Sequence, residues 1–118
     1  MDTLSRLETT VKLRLGADAG SSYVAQLHAR GLPVMARKLG EEAVETVVAA
    51  LSGDRAELVG EAADVLFHLT VLLAEKGVPL AEVMAELDRR EGTSGLDEKA
   101  ARQPETQDKA ATGAHNGD

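Results

Sequence analysis

Apolar residues along this chain recur at three- and four-residue intervals, the period of one helix face. Leu4, Leu7, Val11 and Leu15 predict a first helix over about Leu4 to Leu15, broken by the Gly16 to Gly20 cluster. Ser21 or Ser22 caps a short second helix, which Gly31 ends. Pro33 suits the first turn of a third helix that runs to about Leu51, with Val34, Ala43, Val44, Val47, Val48 and Leu51 as its apolar positions. Ser52-Gly53 closes it. Asp54 followed by Glu57 has capping-box spacing, so a fourth helix starts there and continues to Lys76 before Gly77. Pro79 opens a fifth, which stops near Arg90 or Glu91, ahead of Gly92. No segment shows strand alternation. The pattern predicts an all-α protein: an antiparallel bundle of four to five helices, with the middle pair as a hairpin.

The fourth helix is apolar from Ala62 to Ala74 except at Asp64, His68 and Thr70. Glu57, Glu61, Asp64 and His68 share a stripe roughly 60° wide at 100° per residue. On the third helix Glu41, Glu42 and Glu45 fall within an arc of roughly 100°, with Lys38 on the same side. Glu-rich faces are usually solvated, and a single E-x-x-E arises by chance in many helices. Two acidic motifs on successive antiparallel helices, Glu42-x-x-Glu45 and Glu61-x-x-Asp64, are harder to dismiss. Asp is a poor helix former, so Asp64 at mid-helix asks for a reason. Joining the two helices concentrates negative charge that is costly to desolvate unless neutralised. A hard divalent cation neutralises it, and oxygen-only donors favour Mg²⁺ or Mn²⁺.

Composition narrows the picture. Among 118 residues there is no cysteine, which removes disulfides, thiolate zinc sites and cysteine nucleophiles. A net charge of −7, with one Phe, one Tyr and no Trp, argues against a nucleic-acid-binding module. No run reaches the roughly 18 apolar residues of a membrane helix, and the N-terminus lacks a signal peptide's apolar stretch, so the expected location is cytoplasmic. The expected folded domain covers residues 1–102. Residues 103–118 read as a polar tail unable to bury enough surface to order itself. So small a domain is marginal alone, which makes a homodimer the expectation.

Other polar residues are less distinctive. A lone His on an apolar helix is more often hydrogen-bonded structure than ligand, so His68 reads first as a supporting residue. His28 and His115 look incidental. Lys38, Lys76, Arg89 and Arg90, with Thr93 and Ser94 in a Gly/Ser/Thr loop, are candidate phosphate contacts, although helix capping or surface ion pairing explains each cation separately as well.

The segments Lys38-Leu39-Gly40-Glu41-Glu42-Ala43-Val44-Glu45 and Glu61-Ala62-Ala63-Asp64-Val65-Leu66-Phe67-His68-Leu69 resemble the phosphoribosyl-ATP pyrophosphatase family. That family lies within the all-α, MazG-like nucleotide pyrophosphohydrolases. Ser22-Tyr23, Ala74-Glu75-Lys76-Gly77 and Gly92-Thr93-Ser94-Gly95 are similar to it too, and the likeness extends to about Arg102. Phe67 stands where the family more often has Tyr. The resemblance implies hydrolysis of 1-(5-phospho-β-D-ribosyl)-ATP to the AMP compound and pyrophosphate, in histidine biosynthesis. It implies Mg²⁺ on Glu42, Glu45, Glu61 and Asp64, with Glu41 orienting water or supporting the ligands, and a homodimer. It also implies substrate contacts from Lys38, His68, Lys76, Arg89, Arg90, Thr93 and Ser94. The alternatives are a house-cleaning (d)NTP pyrophosphohydrolase using the same carboxylates, or a non-enzymatic helical interaction module. A di-iron bundle is disfavoured, because no His has a Glu three residues before it.

Overall fold

A computed structural model describes residues 1–92 and Lys99, and among these residues it contains five helices and no strand. They are α1 (Thr3–Leu15), α2 (Tyr23–Arg30), α3 (Leu32–Ser52), α4 (Arg55–Glu75) and α5 (Leu80–Arg90). Thr93, Ser94 and the polar tail at 103–118 lie outside the described residues.

Local chemistry sets most helix ends. Asp2 Oδ1 accepts the Ser5 N–H at 2.8 Å, Ser22 Oγ accepts the Ala25 N–H at 3.2 Å, and Asp54 Oδ1 accepts the Glu57 N–H at 3.1 Å. Each bond satisfies an amide that the first turn leaves without a helical partner. Between α3 and α4 the chain reverses at Gly53, whose φ of 84° is left-handed and strained for any residue with a Cβ.

The chain divides into two compact units, Met1–Leu80 and the residues from Ala81 onward. In the first, α3 packs along α4 as an antiparallel hairpin, α1 packs on α4, and α2 touches α1 and α3. Val11, Val24, Leu27, Met35 and Val71 form its buried core, with Leu7, Leu15, Val34, Phe67, Leu72 and Ala74 packed around them. Glu8 Oε2 accepts the Leu80 N–H at 2.7 Å, so a side chain from α1 caps the start of α5. His28, which the sequence left without a role, places Nδ1 2.7 Å from Glu75 Oε1 and links the C-terminal ends of α2 and α4. In the second unit Glu86 accepts hydrogen bonds from both Arg89 and Arg90. Those paired guanidinium groups hold its carboxyl down to about 2.

α3 is apolar on two sides. Met35 and Ala49 face the core, whereas Val44, Val47, Val48 and Leu51 are exposed on the opposite side within an arc of about 100°. Val59 and Leu66 of α4 are exposed as well. One layer of neighbours covers only one face of a helix, so the aliphatic run that predicted α3 is only partly used in the single chain. No helix among the described residues is long and apolar enough to cross a membrane.

Candidate functional site

Glu42 and Glu45 sit three apart on α3 and Glu61 two turns into α4, so the hairpin brings their carboxylates together. One oxygen from each lies within 4.8 Å of the others. Two oxygens of these residues, Glu42 Oε1 and Glu61 Oε1, are buried with no hydrogen-bond donor. Acidic groups on a surface are ordinary, but buried carboxylate oxygens without donors are costly. Burial pushes the Glu61 carboxyl up to about 7; the close oxygens of Glu42 and Glu45, which favour a proton held between them, and then their negative charge add to that rise. Positive charge would offset the cost of that burial. A small divalent cation fits the donor chemistry, since all three groups offer hard oxygens.

Asp64 is exposed, one turn beyond Glu61, and its carboxylate stands outside the three-residue set. Its backbone carbonyl accepts from His68 Nδ1 at 2.9 Å. Glu41 turns away from the set toward the cations: its oxygens lie 3.5 Å from Arg37 Nε and 3.9 Å from Lys38 Nζ. Arg37, Gly40, Glu41, Val44 and Glu45 line an open cavity of about 620 Å³. It shares Glu45 with the carboxylate set, so the Arg37 guanidinium and one of the three clustered carboxylates border one depression.

His68 is buried, with both ring nitrogens engaged. Nδ1 faces the Asp64 carbonyl, and Nε2 lies 3.2 Å from Tyr23 Oη. Lys76 is exposed and forms the C-cap of α4. Arg89 and Arg90 lie in the second unit, paired with Glu86. Tyr23 is a site neighbour that spacing did not flag. Its contact with α4 is long-range, and the signals in the sequence were its place directly after the capping Ser22 and the likeness of Ser22-Tyr23 to the family.

Two antiparallel acidic helices in an all-helical chain, with their carboxylates converging on one spot, define the MazG-like all-α class. The comparisons place the chain more narrowly. The family model described as phosphoribosyl-ATP pyrophosphohydrolase matches residues 4–91. Relatives called phosphoribosyl-ATP pyrophosphatase include one from Rhizorhabdus wittichii, 68% identical over 100 residues that cover 85% of this chain and 94% of that protein. Another, from Erythrobacter litoralis, is 66% identical over 102 residues, covering 86% and 98%. A third, from Novosphingobium aromaticivorans, is 62% identical over 101 residues, covering 86% and 94%. The chain belongs to the phosphoribosyl-ATP pyrophosphohydrolase family, and it is an enzyme, a hydrolase.

Proposed function

We propose that this enzyme hydrolyses 1-(5-phospho-β-D-ribosyl)-ATP to the AMP compound and pyrophosphate, a step of histidine biosynthesis, with Mg²⁺ at the acidic hairpin. The observation that carries the metal is the set of Glu42, Glu45 and Glu61 oxygens within 4.8 Å, in residues of which two bury an Oε1 without a donor. The names of relatives that align over most of their length support the substrate. Glu42, Glu45 and Glu61 would hold the ion, and Asp64, one turn along the same helix face as Glu61, would complete the donors. Mn²⁺ suits the same oxygens. When bound, the ion supplies polarisation of phosphoryl oxygens and neutralises charge on the triphosphate.

The chain's own groups do the rest. Lys38 and Arg37 sit across Glu41, and an incoming triphosphate competes with that carboxylate for both cations. Glu41, once released from them, would orient a water or support the ligands. Glu61, whose carboxyl is pushed up to about 7, would have to release its proton to hold a cation as a carboxylate. Lys76, Arg89, Arg90, Thr93 and Ser94 are further proposed contacts for the substrate's phosphates. The reaction belongs in the cytoplasm, and the partner is a second copy of the chain rather than nucleic acid. The uncovered aliphatic stripe of α3 supports that pairing.

The test is pyrophosphate release from phosphoribosyl-ATP with and without Mg²⁺, for wild type and Glu61→Ala. Turnover that needs Mg²⁺ and falls at least a hundredfold in the variant, about 3 kcal/mol of barrier, is expected. Fast turnover of several deoxynucleoside triphosphates with none on phosphoribosyl-ATP would replace this reading with a house-cleaning activity.

A further inference from the structure

The chain has one tyrosine, one phenylalanine and no tryptophan, and the fold gathers both rings at His68. Tyr23 and Phe67 are stacked, with centroids 6.0 Å apart and planes 21° from parallel. His68 meets each ring edge-on, at 5.9 and 5.1 Å. The hydrogen bonds fix the direction of the arrangement. A carbonyl oxygen only accepts, so the imidazole nitrogen facing Asp64 O carries the hydrogen. In the neutral ring the other nitrogen is then a lone pair, and the Tyr23 hydroxyl donates to it.

Exposure within this group is uneven. His68 is 6% exposed, whereas Tyr23 is 44% exposed. Tyr23 thus keeps part of its ring open to solvent while a buried imidazole holds its hydroxyl. Position adds a second argument. His68 is two turns beyond Glu61, about 10 Å along α4 and within about 20° of the same face. The imidazole that holds the Tyr23 hydroxyl therefore lies on the same helix face as the acidic stripe, at a spacing that the sugar and phosphates of a nucleotide would bridge.

We propose that Tyr23 is the stacking contact for the purine of the bound nucleotide, and that His68 is the positioning residue that aims it. This rests on the nucleotide-hydrolase reading above. His68 itself, buried and bonded on both nitrogens, acts through the phenol rather than on the substrate. Stacking of a base on an aromatic side chain is sequence-tolerant and strong enough to matter for affinity. It contributes equally to bound substrate and transition state, so its loss shows in KM rather than kcat.

The sole tyrosine makes its own probe. In wild type carrying ring-labelled tyrosine, phosphoribosyl-AMP should shift the Tyr23 resonances upfield, and Mg²⁺ with pyrophosphate alone should leave them in place. Tyr23→Leu should raise KM for phosphoribosyl-ATP about tenfold with kcat within about twofold, and Tyr23→Phe should raise it less. His68→Gln should broaden the Tyr23 signals and raise KM in the same direction. If wild type turns over phosphoribosyl-ATP yet phosphoribosyl-AMP leaves the Tyr23 signals unmoved, or Tyr23→Leu keeps its KM, the stacking role is wrong and the hydrolase reading stands. If wild type releases no pyrophosphate from phosphoribosyl-ATP, both fall together.

Discussion

Burial first, and then the close carboxylates of Glu42 and Glu45, push the Glu61 carboxyl up to about 7. Free glutamate titrates near 4.3, so the folded state here binds a proton that the unfolded chain has already released. The sign follows by linkage: the stabilising contribution is complete below about 4.3 and is lost as pH rises through about 7. Metal-free protein should therefore melt lower at pH 8 than at pH 5. Glu61→Gln should flatten that dependence, and Mg²⁺ at pH 8 should restore wild-type stability; melting curves in chelator with and without added Mg²⁺ measure all three. Equal pH slopes in wild type and variant would refute it. Glu86 titrates in a separate window. Its lowered carboxyl contributes stability above the ordinary glutamate value, lost only as pH falls through about 2. The sequence announced the acidic residues but not their division of labour. Spacing put Glu61 and Asp64 on one stripe, yet only Glu61 reaches Glu42 and Glu45, because convergence depends on how α3 lies against α4. The partners of Tyr23 and His28 stayed hidden for the same reason: both are on α4, far along the chain.

At the scale of elements, local chemistry decided what was readable. Ser22, Gly53 and Asp54 mark helix ends through bonds or dihedrals that involve only their near neighbours, so the structure keeps the expected boundaries within a residue or two. Asp54→Ala should cost about 1 kcal/mol in urea unfolding by leaving the Glu57 amide without its acceptor. No change in the unfolding midpoint would show that water replaces the cap. Other contacts of the elements could not be read this way. The Glu8 cap on α5 joins residues from opposite ends of the first unit, and no pattern of polarity encodes it.

For the molecule as a whole, the aliphatic stripe of α3 carries the largest consequence. Val44, Val47, Val48 and Leu51 satisfy the helix period and still face outward, Leu51 at 84% exposure. Periodicity reports that a face is apolar; it does not report whether the same chain covers it. With a second copy as the cover, Val48→Asp should weaken association about tenfold or more while the helical circular dichroism is kept. Sedimentation of both proteins across a concentration series reads this directly. A wild type that stays monomeric throughout would remove the dimer.

The reversal at Gly53 has a kinetic side. α3 and α4 are consecutive, so their pairing closes a short loop and can form early in folding. The same pairing forces the carboxylates together. Where the hairpin forms first, repulsion among Glu42, Glu45 and Glu61 would contribute to the folding barrier before the remaining helices dock. A divalent cation at these oxygens would act on the speed at which the chain reaches its fold as well as on how long it stays there.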